Sequence, residues 1–195
     1  MKTRGRAADK HRSRGERDTA SLLVEAAAKE FQEHGFGGTD TNRIARRAGF
    51  APQTFYRWFE DKTAIFLAVY RDWVATEFDE IDRLRAKGAS EVELADAVIA
   101  HHRAYYIFRR SLRQLTVEDD RVRAARAASR LEQIERIKAR YKAPRPSSSN
   151  VALFLLQFER LCDALADGEL RDLGVEENAV REHLVRLYAQ LRRRR

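Results

Sequence analysis

Gln53, Thr54, Tyr56 and Arg57 fall close together behind Pro52. An amide at that point can pair bidentately with adenine N6 and N7. A guanidinium one helical turn on can read guanine or hold a phosphate. Hydroxyls such as those of Thr54 and Tyr56 grip phosphates without selecting bases. Thr39 and Asn42 stand at one margin of this group and Lys62 at the other, where a cation at a helix start suits an anion. Arg43 and Arg47, four residues apart, can follow a phosphate backbone from one helix face. Each side chain also has a plainer role. Gln53 and the arginines can be solvated helix surface, and Arg57 can pair with Glu60 or Asp61.

These residues need two short helices to position them. Residues 35–62, GFGGTDTNRIARRAGFAPQTFYRWFEDK, supply them as roughly Thr41 to Ala48 and Pro52 to Phe59. Gly49 offers the left-handed backbone that ends the first helix, and Pro52 suits the first turn of the second. Thr39 and Asp40 are candidate caps for the first. Ile44, Ala45, Ala48, Phe55 and Phe59 can form a shared core. A preceding helix from about Arg17 to His34 brings Leu23, Ala27 and Phe31 at helical spacing. Three helices with a glycine turn and a basic face form a unit that can enter a major groove.

The rest of the chain repeats the helical pattern. A helix from Asp61 or Lys62 to about Leu84 carries Ile65, Phe66, Val69, Tyr70, Trp73 and Val74. Ser90 and Glu93 offer a capping box for a helix from about Glu91 to Arg110. An acidic start at Glu118 to Asp120 opens another helix, with a break expected near Ser129. Residues 143–149 read as a loop. Asn150 can cap a helix whose first half is apolar nearly all round and is expected to be buried on all sides. Val180, Leu184, Leu187 and Leu191 mark one seam of a packed helix pair. His102, Tyr105, Tyr106 and Arg109 could face Phe154, Gln157 and Phe158, aromatic walls with a few polar groups, as in a small-molecule pocket. Ordinary core is the alternative.

Composition narrows the class. The chain has 195 residues, a formal net charge of +8, three prolines and nine glycines. Runs that would read as strands are missing, so an all-α protein is expected. The positive balance suits an anionic partner. Residues 1–16, rich in Lys and Arg and poor in apolar residues, read as a flexible basic arm. They do not read as a secretory signal, and the longest apolar run, residues 151–156, is far too short for a membrane span. Cys162 is the single cysteine, which fits a reducing, cytoplasmic setting. His101 and His102 lack metal-ligand spacing, and no catalytic or cofactor-binding pattern stands out. A metal, a cofactor and an enzyme activity are therefore not expected.

With Gly35, Phe36, Thr39, Ile44, Ala45, Ala48, Gly49, Thr54, Phe55, Tyr56, Phe59 and Lys62 in ungapped register, residues 17–70 resemble the DNA-binding domain of the TetR/AcrR transcriptional regulators. The resemblance implies an all-α homodimer that binds a double-stranded DNA operator. It implies a helix-turn-helix domain over 17–62 and a helical ligand-binding and dimerisation domain over 63–195. It further implies an unknown small-molecule effector and a four-helix dimer bundle, in which Leu161, Leu165, Val180, Leu184, Leu187 and Leu191 would take part. Thr41 stands where the family usually has an apolar residue, Asp40 replaces a small hydroxyl residue, and Ala51-Pro52-Gln53 replaces the common Ser-x-Gly. Two other readings stay open: a non-specific architectural DNA binder, and a helical small-molecule or interaction module with weakened DNA binding.

Overall fold

The computed structural model describes residues 5–142 and 145–193, with side chains over 19–142 and 145–191. Every regular element among them is a helix. The chain divides into two compact units, Met1–Asp72 and Trp73–Arg195. The division falls inside a helix, at 72 rather than at the expected 62.

The first unit holds α1 (Gly5–His34), α2 (Thr41–Arg47), α3 (Pro52–Tyr56) and the opening turns of α4 (Lys62–Ala86). The arm expected over 1–16 is helical from Gly5 onward, in keeping with its Ala, Arg and Lys content. Residues 1–4, and the side chains of the remainder of that arm, lie outside the described residues. Leu23, Ala27 and Phe31 form the expected stripe and are fully buried, as are Ile44, Ala45, Phe55, Ile65 and Phe66. Phe31 meets Phe66 edge-on at 5.1 Å between ring centroids, and Phe36 meets Phe66 at 5.3 Å. Between α1 and α2 the chain approaches itself so closely that a Cβ on Gly38 would lie 2.4 Å from the His34 carbonyl oxygen. Only glycine fits there.

The α2–α3 turn follows from its sequence. Gly49 has φ +81°. Its N–H donates to Arg46 O at 3.0 Å, and Phe50 N–H donates to Ala45 O at 2.9 Å. These two bonds satisfy carbonyls that the end of α2 would otherwise orphan. Asp40 caps the other end of α2, accepting from Arg43 N–H at 2.8 Å. Pro52 sits in the first turn of α3, as expected. Both helices are shorter than anticipated: Ala48 and Arg57 are C-caps, and the expected second helix to Phe59 ends at Tyr56.

The second unit contains the remainder of α4, then α5 (Glu91–Ala104), α6 (Tyr106–Glu118), α7 (Asp120–Ala139), α8 (Ser148–Asp167), α9 (Glu169–Asp172) and α10 (Glu177–Arg193). The Ser90–Glu93 capping box forms as read from sequence. Three other expectations are corrected. The helix from Glu91 breaks at Tyr105, a break that no glycine or proline announces. α7 runs through Ser129 unbroken. Ser147, not Asn150, caps α8, its hydroxyl accepting from Asn150 N–H at 3.1 Å.

The core of this unit lies where α5, α8 and α10 pack on one another. α8 is not buried on all sides. Val151, Phe154, Phe158 and Cys162 face inward, while Leu153 and Leu156 are 52% and 55% exposed.

Candidate nucleic-acid interface

Gln53 and Arg57 are both exposed, with no polar partner recorded among the described residues. Gln53 is the second residue of α3 and Arg57 its C-cap, so they stand one turn apart. Tyr56 is 59% exposed. Its hydroxyl lies 2.9 Å from Thr41 Oγ1, a hydrogen bond across the two motif helices. Thr54 is partly buried and Asn42 is exposed on α2. Thr41, the departure from the family pattern, therefore meets a polar partner.

Four residues assigned to phosphate are engaged inside the protein. Thr39 is 3% exposed, and its hydroxyl lies within donating distance of Gly35 O (2.9 Å) and Glu30 O (3.2 Å). It ties the α1–α2 turn together and is not a phosphate donor. Arg43 Nε lies 3.0 Å from Glu30 Oε2, at ion-pair distance without hydrogen-bond alignment. Arg47 Nε lies 2.7 Å from Glu30 Oε1, and its two terminal nitrogens grip Glu33 at 2.7 and 2.5 Å. The Arg47 hydrogen bond holds the Glu33 carboxyl below its ordinary pKa.

Lys62 Nζ donates to Phe36 O at 2.7 Å and Thr39 O at 2.8 Å, and sits 4.1 Å from the Phe36 ring centroid. Burial pushes its pKa down. Its ammonium pins the 36–39 turn instead of clamping phosphate. The residue that sequence reasoning missed is Glu30, 4% exposed, which sets both arginines against α1. A lone glutamate late in a helix gives no sequence signal of that role.

The second candidate site does not assemble. His102 and Arg109 are 3% and 2% exposed and belong to a buried ionic network. Arg109 donates to Asp163 at 2.5 and 3.1 Å and to Glu159 at 2.6 Å. His102 Nδ1 lies 3.0 Å from Asp163 Oδ1, and its Nε2 is 3.6 Å from Glu77. Arg126 and Arg130 also bond to Glu159. Burial alone would raise the Glu159 pKa, but Arg109, Arg130 and Arg126 hold it down to about 2.

Phe154 and Phe158 pack with Tyr188 at 5.2 and 5.0 Å. Gln157 is exposed and Tyr106 is 40% exposed. Tyr105 edges toward Trp73 at 6.4 Å. A groove of about 680 Å³ lies between α5 and α10 and is lined by Asp96, Ile99, Arg103, Glu177 and Arg181. It includes none of the expected ligand residues.

The dimer seam is also corrected. Val180, Leu184, Leu187 and Leu191 are 0–6% exposed within a single chain, in the core shared with α5 and α8. Leu161 and Leu165 pack partly against the same core. The heptad-like spacing is real, but its partner helices are in the same chain.

Fold and motif define a helix-turn-helix domain followed by an all-helical unit. Residues 23–69 match the family of bacterial regulatory proteins, tetR family. The chain is 37% identical over 56 residues to the HTH-type transcriptional regulator YdgC of Bacillus subtilis (strain 168), and that match spans 29% of each chain. Solved structures with the same fold include a TetR-family regulator from Rhodococcus sp. at 16% identity and TM-score 0.64, covering 89% of this chain and 98% of that one. Another, from Mesorhizobium loti, shows 18% identity and TM-score 0.62 over 90% and 96%. The matched residues 23–69 lie in the first unit, which is therefore similar to the DNA-binding domain of the TetR family. No described helix is long and apolar enough to cross a membrane.

Proposed function

We propose that the protein is a homodimeric, effector-responsive repressor that binds a near-palindromic DNA operator. The observation that carries this reading is the state of α3. Gln53 and Arg57 are exposed on it with no polar partner among the described residues, while Thr39, Arg43, Arg47 and Lys62 are tied down. An amide and a guanidinium left unpaired on a short, well-anchored helix are suited to base edges in a major groove. Thr54, Tyr56 and Asn42 are left for the phosphates on either side.

The pairing of Arg43 and Arg47 with glutamates weighs against a non-specific architectural role. Such binding rests on many unpaired cations along the backbone, and here Arg43, Arg47 and Lys62 all have partners within the chain. For the dimer, the exposed Leu153 and Leu156 on the outer face of α8 support an interface there. Two recognition helices carried by such a dimer would enter successive major grooves about 34–36 Å apart. α4 is one uninterrupted helix that begins in the DNA-binding unit and continues into the second. An effector bound in the second unit would act by displacing it, changing the spacing of the two recognition helices.

Selecting bound duplexes from a random pool with the full chain tests the reading. A two-fold symmetric site with half-sites one turn apart, or a multiple of it, is the expected product. Enrichment of no site over random DNA would overturn it.

A further inference from the structure

Thr41 and Tyr56 bring two hydroxyl oxygens to 2.9 Å, one at the first position of α2 and the other at the last position of α3. The pair owns two O–H protons and uses one between its own oxygens. Whichever group donates internally, one O–H is left to donate outward. The arrangement with Thr41 donating to Tyr56 is the better one for an outside acceptor. A phenol is a stronger donor than an aliphatic alcohol, and an O–H whose oxygen already accepts a bond is polarised further. Tyr56 is mostly exposed and Thr41 partly so, and no other hydrogen bond of either hydroxyl is recorded among the described residues. Tyr56 also stands three residues after Gln53, on the same side of α3.

We infer that Thr41 is a DNA-positioning residue that acts through Tyr56. It holds the phenol in one orientation, so that a single directed O–H meets a backbone phosphate oxygen and fixes how α3 seats in the groove. An exposed tyrosine without such a partner must be ordered on binding, which costs affinity. Holding it beforehand removes that cost. An apolar residue at position 41, usual in the family pattern, has no hydroxyl to offer. The inference rests on the operator-binding reading above.

The test is anisotropy titration of the full chain on its selected duplex and on single-mismatch duplexes, comparing Thr41→Val, Thr41→Ser, Tyr56→Phe and the Thr41→Val/Tyr56→Phe double variant. Thr41→Val should weaken binding by about 3- to 10-fold, equally on all duplexes, the range expected for one hydrogen bond. Thr41→Ser, which keeps the hydroxyl, should stay within about twofold of the parent. Tyr56→Phe should lose at least as much as Thr41→Val. Adding Thr41→Val to Tyr56→Phe should then change affinity by less than about twofold, because the loss has already been taken. Thermal melting of each variant separates this from a folding defect.

A Thr41→Val protein that binds like the parent would overturn the inference, leaving operator binding intact. So would a Thr41→Val loss that persists undiminished on the Tyr56→Phe background. A parent chain with no preference for any selected duplex would overturn the operator reading and this inference together.

Discussion

Glu30 and Arg47 are joined at 2.7 Å between carboxylate Oε1 and guanidinium Nε, with the glutamate side chain 5% exposed. This pair, with Arg43 on the other carboxylate oxygen, sets α2 against α1 and so decides how α3 is presented. A buried carboxylate is tolerable because its partners are present, and removing its charge leaves two guanidinium groups facing each other. Glu30→Gln is expected to destabilise the protein by about 1–3 kcal/mol, below the full cost of a deeply buried pair because both arginines reach solvent. Urea unfolding midpoints check this. An unchanged midpoint would mean that apolar packing alone fixes α2.

Lys62 offers a contrast between two roles. As a pin for the Phe36 and Thr39 carbonyls, its replacement by Met should lower stability by about 1–2 kcal/mol and leave the salt dependence of DNA binding unchanged. As a phosphate contact, its loss would reduce the slope of log K against log salt by about 1. Affinities measured at several salt concentrations tell the two apart, and the pin predicts a parallel line.

Glu159 governs the acid side of the stability curve. Its folded pKa of about 2 lies below the ordinary 4.5 because three arginines favour the carboxylate over the opposing effect of burial. A depressed carboxylate pKa contributes stability that is fully present above 4.5 and is lost as pH falls toward 2. Glu159→Gln should therefore be less stable than the parent at pH 7, by roughly 3 kcal/mol. The gap should narrow steadily as pH falls through that window. Urea unfolding of both proteins at pH 7 and pH 3 measures it, and a gap independent of pH would place the effect in packing.

The helices and their punctuation were legible in sequence because they depend on near neighbours. Gly49 after α2, Asp40 before it, and the Ser90–Glu93 box all act within a few residues, and the structure shows each as read. The inward stripe of α1 was legible for the same reason. What could not be read depends on partners far along the chain. Arg47 looked like a phosphate contact because Glu33 lies fourteen residues away on another helix. Arg109 looked like a polar group of a small-molecule pocket because Asp163 lies 54 residues away. The leucine seam of α10 showed that it packs, but not that its partners are α5 and α8 of the same chain. The apolar residues of α8 similarly did not reveal which of them, Leu153 and Leu156, remain outside.

The central claim, that α3 reads base edges through Gln53, is tested most directly by selecting DNA sites with the parent chain and with Gln53→Ala in parallel. The parent should return a two-fold symmetric site. Gln53→Ala should lose preference at one base pair, repeated symmetrically in each half-site, worth about 1–3 kcal/mol per position, with the rest of the site retained. Weaker binding with an unchanged site, or a parent that selects no site at all, would contradict the account.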